Sequence, residues 1–179
     1  MLAALLQGPL VRIIPVGLIL LAVQRTLFVD YQVAGVVVEI MMIASAAAGV
    51  AGGSERGALF GFVFGIMFDL AEGTPLGSTA IAMTVAGAVA GLLALVAADP
   101  QWWLGALFVA LGTVAGVLTV PLVRVFIGEE RPFTTDLYVI VPVMAGAGAL
   151  LSPLMIPLAR WCLRMKTPEW KQPIAETPL

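Results

Sequence analysis

The 179-residue sequence contains no histidine and a single cysteine, Cys162. Without an imidazole there is no histidine acid–base chemistry and no Ser-His-Asp or Cys-His nucleophilic pair. One thiol excludes a multi-cysteine zinc site and any internal disulfide. Charge is scarce as well, with 11% of residues Asp, Glu, Lys or Arg and a formal net charge of −2. What fills the chain is apolar: 61% of residues are hydrophobic and mean hydropathy is +1.07. So little polar surface cannot cover an ordinary soluble globule, and the composition places the chain in a bilayer.

Six apolar runs are long enough to cross a hydrocarbon core of about 30 Å. They lie near 10–29, 33–53, 56–71, 75–98, 102–127 and 137–163, giving one integral membrane domain over 1–163 and a basic, Pro-containing, unstructured tail over 164–179. The first run resembles the apolar stretch of a signal peptide, but no small-x-small cleavage site follows and further apolar segments do, so it reads as a span. The third run is the shortest, roughly 24 Å at 1.5 Å per residue. Corners at Ser54-Glu55-Arg56 and Glu72-Gly73-Thr74 are too tight for anything but antiparallel neighbours. The expected fold is an all-α, six-helix compact bundle.

The positive-inside rule orients it. A cytoplasmic N-terminus puts Arg12, Arg56, Arg160, Arg164, Lys166 and Lys171 inside and leaves Arg25, Arg124 and Arg131 toward the outside. Both termini are then cytoplasmic. Trp102, Trp103, Trp161 and Trp170 fall near the inner interface, and Phe28, Tyr31 and Tyr138 near the outer one, as an aromatic belt requires.

Glycine recurs at four-residue spacing, at Gly49, Gly53, Gly57, Gly61, Gly65, Gly73 and Gly77, with Asp69 on the same spacing. The corners divide this ladder among three helices, so only Gly57, Gly61, Gly65 and Asp69 form one helical stripe. Small residues let helix backbones approach closely in lipid. The stripe therefore serves packing inside the bundle or docking of a partner helix. Gly87 with Gly91 and Gly112 with Gly116 are further small pairs, and Pro75 is expected near the first turn of the fourth helix.

Four charged residues fall inside the spans or at their outer edges: Arg25, Glu39, Asp69 and Arg124. The topology places all four in the outer half, with Glu39 about 9 Å below the start of its helix at 1.5 Å per residue. An isolated charge mid-span costs about 2.5–3.5 kcal/mol on insertion scales, which pairs such as Arg25 with Glu39 or Arg124 with Asp69 would relieve. Alternatively the arginines snorkel to the headgroups and Asp69 closes a helix end near water. The inner half carries no such group, so an ion-driven transport pathway is disfavoured.

The stretch from Gly57 through Gly61-Phe62, Gly65 and Asp69 into Gly73-Thr74-Pro75-Leu76-Gly77 resembles the signature of the rod-shape-determining MreD family, in which a G-x-x-x-G-F-x-x-G-x-x-x-D helix runs into a G-x-P-x-G turn. Gln24 near the end of the first run and the carboxylate at Glu39 agree more loosely. The specific part covers roughly residues 39–91. This resemblance implies a non-enzymatic scaffold subunit of the cell-wall elongation machinery in the bacterial cytoplasmic membrane. It would bind MreC and work beside RodA, a class B transpeptidase and MreB. Gly57, Gly61, Phe62, Gly65, Asp69, Gly73, Pro75 and Gly77 would form its partner-binding or helix-packing surface, with no cofactor, no metal and no nucleic acid. The family is also similar in architecture to the substrate-binding subunits of energy-coupling-factor vitamin transporters. A vitamin- or solute-binding subunit is therefore the rival reading, and a lipid-modifying enzyme a remote third.

Overall fold

The computed structural model describes residues 10–28, 35–96, 101–128 and 137–163. Arg131, Tyr31, Trp170, Arg164, Lys166, Lys171, most of the 128–136 connection and the tail lie outside the described residues, as do the side chain of Phe28 and the expectations placed on them. Helix is the only regular structure among the described residues, in six elements. These are α1 (Leu10–Val23, continued by a wider π-helical turn over Gln24–Phe28), α2 (Ile40–Gly52), α3 (Ser54–Glu72), α4 (Ser78–Val96), α5 (Trp102–Ile127) and α6 (Leu137–Cys162). By length and composition α4, α5 and α6 can cross a membrane, while α2 is a shorter apolar helix. Helix α3 has 19 residues but carries Glu55, Arg56, Asp69 and Glu72, so it is less uniformly apolar.

Three boundaries differ from the sequence reading, each for a local reason. Helix α2 begins at Ile40 rather than near 33: Gly35 has φ +80°, and Glu39 is extended at φ −85°, ψ 91°. Glu39 is thus the N-cap of α2 and not a residue a turn and a half inside it. The α2–α3 break is the single residue Gly53, at φ +86°, and Ser54-Glu55-Arg56 form the first turn of α3. Pro75 sits ahead of α4 rather than in its first turn, and its carbonyl accepts the Ser78 N–H at 3.1 Å.

Helix α2 is buried along Ile40–Gly49 and is apolar all round, the pattern of a helix enclosed by others. It packs against α3, α4, α5 and α6; α4 in turn lies against α2, α3 and α5, and α1 lies at the periphery on α3. Phe60 and Phe64 of α3, with ring centroids 4.3 Å apart, fill the core beside Met41, Met42, Met83 and Met144. The Arg12 guanidinium lies 4.9 Å from the Trp161 ring centroid, and its Nη1 donates to the Trp161 carbonyl at 3.1 Å. That contact brings the start of α1 and the end of α6 to one end of the bundle.

Candidate functional site

The glycine stripe faces inward. A Cβ on Gly57 would lie 2.6 Å from the Gly87 carbonyl oxygen and 2.8 Å from the Gly49 amide nitrogen, so three helix backbones converge where α2, α3 and α4 meet. Farther along α3, a Cβ on Gly61 would run into the Met83 carbonyl, and one on Gly65 into the Ala80 backbone. Gly91 abuts the Gly53–Ser54 backbone, and Gly112 and Gly116 of α5 press on Ala90, Ala86 and Ala82 of α4. Of the two uses open to the stripe, its neighbours in the fold supply packing, because α4 already covers this face. Phe62 departs from the group: it is 49% exposed and points away with Leu59 and Leu70.

Asp69 ends the stripe as a lock. Its residue is 1% exposed, and its two oxygens take bonds from the turn and from the next helix. Oδ1 accepts from the Thr74 hydroxyl at 2.9 Å, the Thr79 N–H at 3.1 Å and the Ser78 hydroxyl at 3.4 Å. Oδ2 accepts from the Gly77 N–H at 2.8 Å and the Ala80 N–H at 3.4 Å. The first backbone amides of a helix have no partner within the helix, and a negative charge there also meets the positive end of its dipole. Asp69 therefore caps α4 from the helix before it. Gly73, at φ +71°, closes α3 by donating to the Asp69 carbonyl at 3.0 Å, and Gly77, at φ +97°, turns its amide into the carboxylate. The Gly73-Thr74-Pro75-Leu76-Gly77 turn is shaped around one side chain. Arg124 was the partner anticipated for Asp69; the five bonds to Asp69 come instead from the turn and α4.

The same device recurs at α2. Gln24, buried at the end of α1, accepts the Met41 N–H on Oε1 at 3.3 Å and so satisfies an amide in the first turn of α2. Sequence reasoning noted Gln24 only through the family resemblance. Its position seventeen residues before Met41 gives no local capping signal.

Arg25 is likewise redirected. Instead of Glu39 it meets Glu72, Nε to Oε1 at 3.5 Å, and its Nη1 donates to the Ala71 carbonyl at 2.7 Å. A cation on the last carbonyls of α3 complements the negative end of that helix. Glu39 and Arg124 come together across a cavity of about 140 Å³ lined also by Met42, Val120, Ile140 and Met144. Glu39 Oε2 is buried with no hydrogen-bond partner. A second cavity of about 440 Å³ lies between the turn and α5, lined by Thr74, Pro75, Ser78, Thr79, Val120, Arg124, Ile127 and Gly128. Arg25, Glu39, Asp69, Glu72 and Arg124 thus gather at the end of the bundle opposite Arg12 and Trp161. No group of three or more metal-ligating side chains occurs among the described residues.

Compared with protein-family models, with curated proteins and with solved structures, the chain matches none.

Proposed function

We propose that the chain is a six-helix, non-enzymatic membrane scaffold of the MreD type, binding an MreC-type single-span partner within the cell-wall elongation machinery. In this reading α1, α2 and α3 cross the bilayer with the three longer helices, and both termini are cytoplasmic. One observation carries it. The segment that resembles the family, Gly57 to Gly77, folds as a single rigid unit in which a glycine stripe seats α3 on α4 and Asp69 fixes the turn between them. A scaffold needs a stiff interior more than a reactive one, and here the buried polar groups Gln24 and Asp69 are spent on tying helix ends together. With the glycine face occupied internally, the partner helix meets an outward face such as that of Leu59, Phe62 and Leu70.

The larger cavity favours the solute-binding rival, since about 440 Å³ lies within the about 300–1,000 Å³ of small-molecule sites. Its polar lining argues the other way: the Thr74 and Ser78 hydroxyls already donate to Asp69. Depleting the protein in its own cell separates the two readings. The scaffold reading expects rods to round up while vitamin uptake is unchanged. Unchanged shape with lost uptake of one vitamin contradicts it.

A further inference from the structure

Two side chains stand at one backbone amide where α2 begins, and only one of them uses it. Glu39 is the N-cap residue, and its carbonyl accepts the Ile43 N–H at 3.3 Å. From that position a side-chain oxygen reaches the N–H of the second or third helical residue, here Met41 or Met42, and a negative charge there also meets the positive end of the helix dipole. Glu39 makes no such bond. Its side chain lines the cavity between α2, α5 and α6, and its Oε2 is buried with no hydrogen-bond partner. The Met41 N–H goes instead to Gln24 Oε1 of α1, at a long 3.3 Å. A buried acceptor is thus left unsatisfied, at a cost, next to the amide it is placed to take.

The segment that carries Gln24 is suited to movement. Gln24 is the first residue of the π-helical turn Gln24–Phe28, a rare geometry that differs from the α form by a small change of register. Conversion to α geometry would redirect Gln24 and Arg25 together. Arg25, the second tie of this turn, holds the Ala71 carbonyl and Glu72, but its ion pair is half in solvent, where water replaces it at little cost. Helix α1 lies at the periphery on α3, so its end can shift while α4 and α5 stay in place.

We propose that Gln24 and Glu39 form a two-position switch on the Met41 amide. In the closed position, that of this structure, Gln24 caps α2, the π turn is held against it, and Glu39 faces the cavity. In the open position the Glu39 carboxylate turns back to its own helix and accepts the Met41 N–H, Gln24 and Arg25 let go, and the end of α1 is released. One hydrogen bond replaces another, and relief of the unpaired oxygen offsets part of the release. The cavity and α1 are coupled through that one amide: a partner that holds the π turn closed keeps Glu39 in the cavity, and whatever withdraws Glu39 frees α1. This device goes beyond the scaffold reading and does not depend on it.

Hydrogen exchange of the full chain in nanodiscs, compared among wild type, Glu39→Leu, Gln24→Leu and the double variant, tests the switch. Glu39→Leu removes the second cap together with the unpaired oxygen and so locks the closed position. The π turn and the start of α2 should then exchange at least about tenfold more slowly than in wild type, the ratio one buried unsatisfied group supplies. In Gln24→Leu the amide has lost its closed-position acceptor and only Glu39 is left to take it. There the same Glu39→Leu substitution should act with the opposite sign, speeding exchange at the start of α2 by at least about tenfold. A Glu39 that merely fills space acts with the same sign in both backgrounds, and that result overturns the switch, as does no effect in either. Should the double variant fail to fold, wild type against Glu39→Leu decides alone: unchanged or faster exchange of the π turn overturns the inference.

Discussion

Gly57 and Gly87 lie backbone against backbone: a methyl on Gly87 would sit 2.5 Å from the Gly57 carbonyl carbon, and one on Gly57 2.6 Å from the Gly87 carbonyl oxygen. Neither neighbour is a side chain that can swing aside. The contact fixes how closely α3 and α4 can approach, and Gly49 of α2 closes the same point from the third direction.

Substitution along this seam is therefore expected to separate helices rather than adjust rotamers. Gly57→Ala and Gly61→Ala should each destabilise the protein by about 3 kcal/mol or more, at or beyond the upper end of ordinary overpacking. Gly146→Ala is the control, because an added Cβ there meets nothing within 4 Å. It should be neutral or stabilising by about 0.5–1 kcal/mol through helix propensity. Thermal unfolding in detergent, followed by circular dichroism, reads all three.

Asp69→Asn keeps the shape of the side chain but replaces one acceptor oxygen with an NH₂ group that faces backbone donors. Loss of a buried, charge-assisted cap should cost about 2 kcal/mol. Because the bonds to Asp69 come from the turn and α4, the loss should add to that of Arg124→Gln instead of being relieved by it. A double-mutant cycle with a coupling above about 1 kcal/mol would instead show the two charges acting as a pair.

The first and last runs of the chain, the α2–α3 corner to within two residues and the helical ends at Ile127 and Leu137 were legible because hydropathy and Gly or Pro breaks act locally. Where distant groups compete, the sequence was silent. Arg25 could reach Glu39 or Glu72, and which one it meets depends on how α1 packs on α3. Asp69 reads as a residue near a helix end, yet the helix it caps is the next one, through amides eight to eleven positions later. Phe62 belongs to the motif by position but to the outer face by its exposure, about 100° around the helix from Gly61 at 3.6 residues per turn. The start of α2 was misplaced because Val36, Val37 and Val38 are as apolar in an extended segment as in a helix.

Gln24→Leu should leave the Met41 amide buried without an acceptor. The expected loss is about 1–3 kcal/mol, the cost of an unsatisfied buried donor. Hydrogen exchange should show faster exchange of the amides at the start of α2 with α5 and α6 unchanged, whereas uniform acceleration would assign Gln24 a global packing role.

The Arg25–Glu72 pair is half in solvent, with side-chain exposures of 51% and 35%. Glu72→Gln should therefore change stability by less than about 1 kcal/mol, and less still in high salt. Arg25→Ala should cost more, since it also removes the 2.7 Å bond to the Ala71 carbonyl. Equal effects of the two variants would mean that the ion pair, not the helix cap, dominates.

Affinity purification of the intact chain together with a co-expressed MreC-type protein, followed by mass spectrometry of everything bound, tests the scaffold assignment most directly. The account predicts a stoichiometric protein complex with no vitamin in it. A chain that purifies without the partner and carries one equivalent of a vitamin would contradict it.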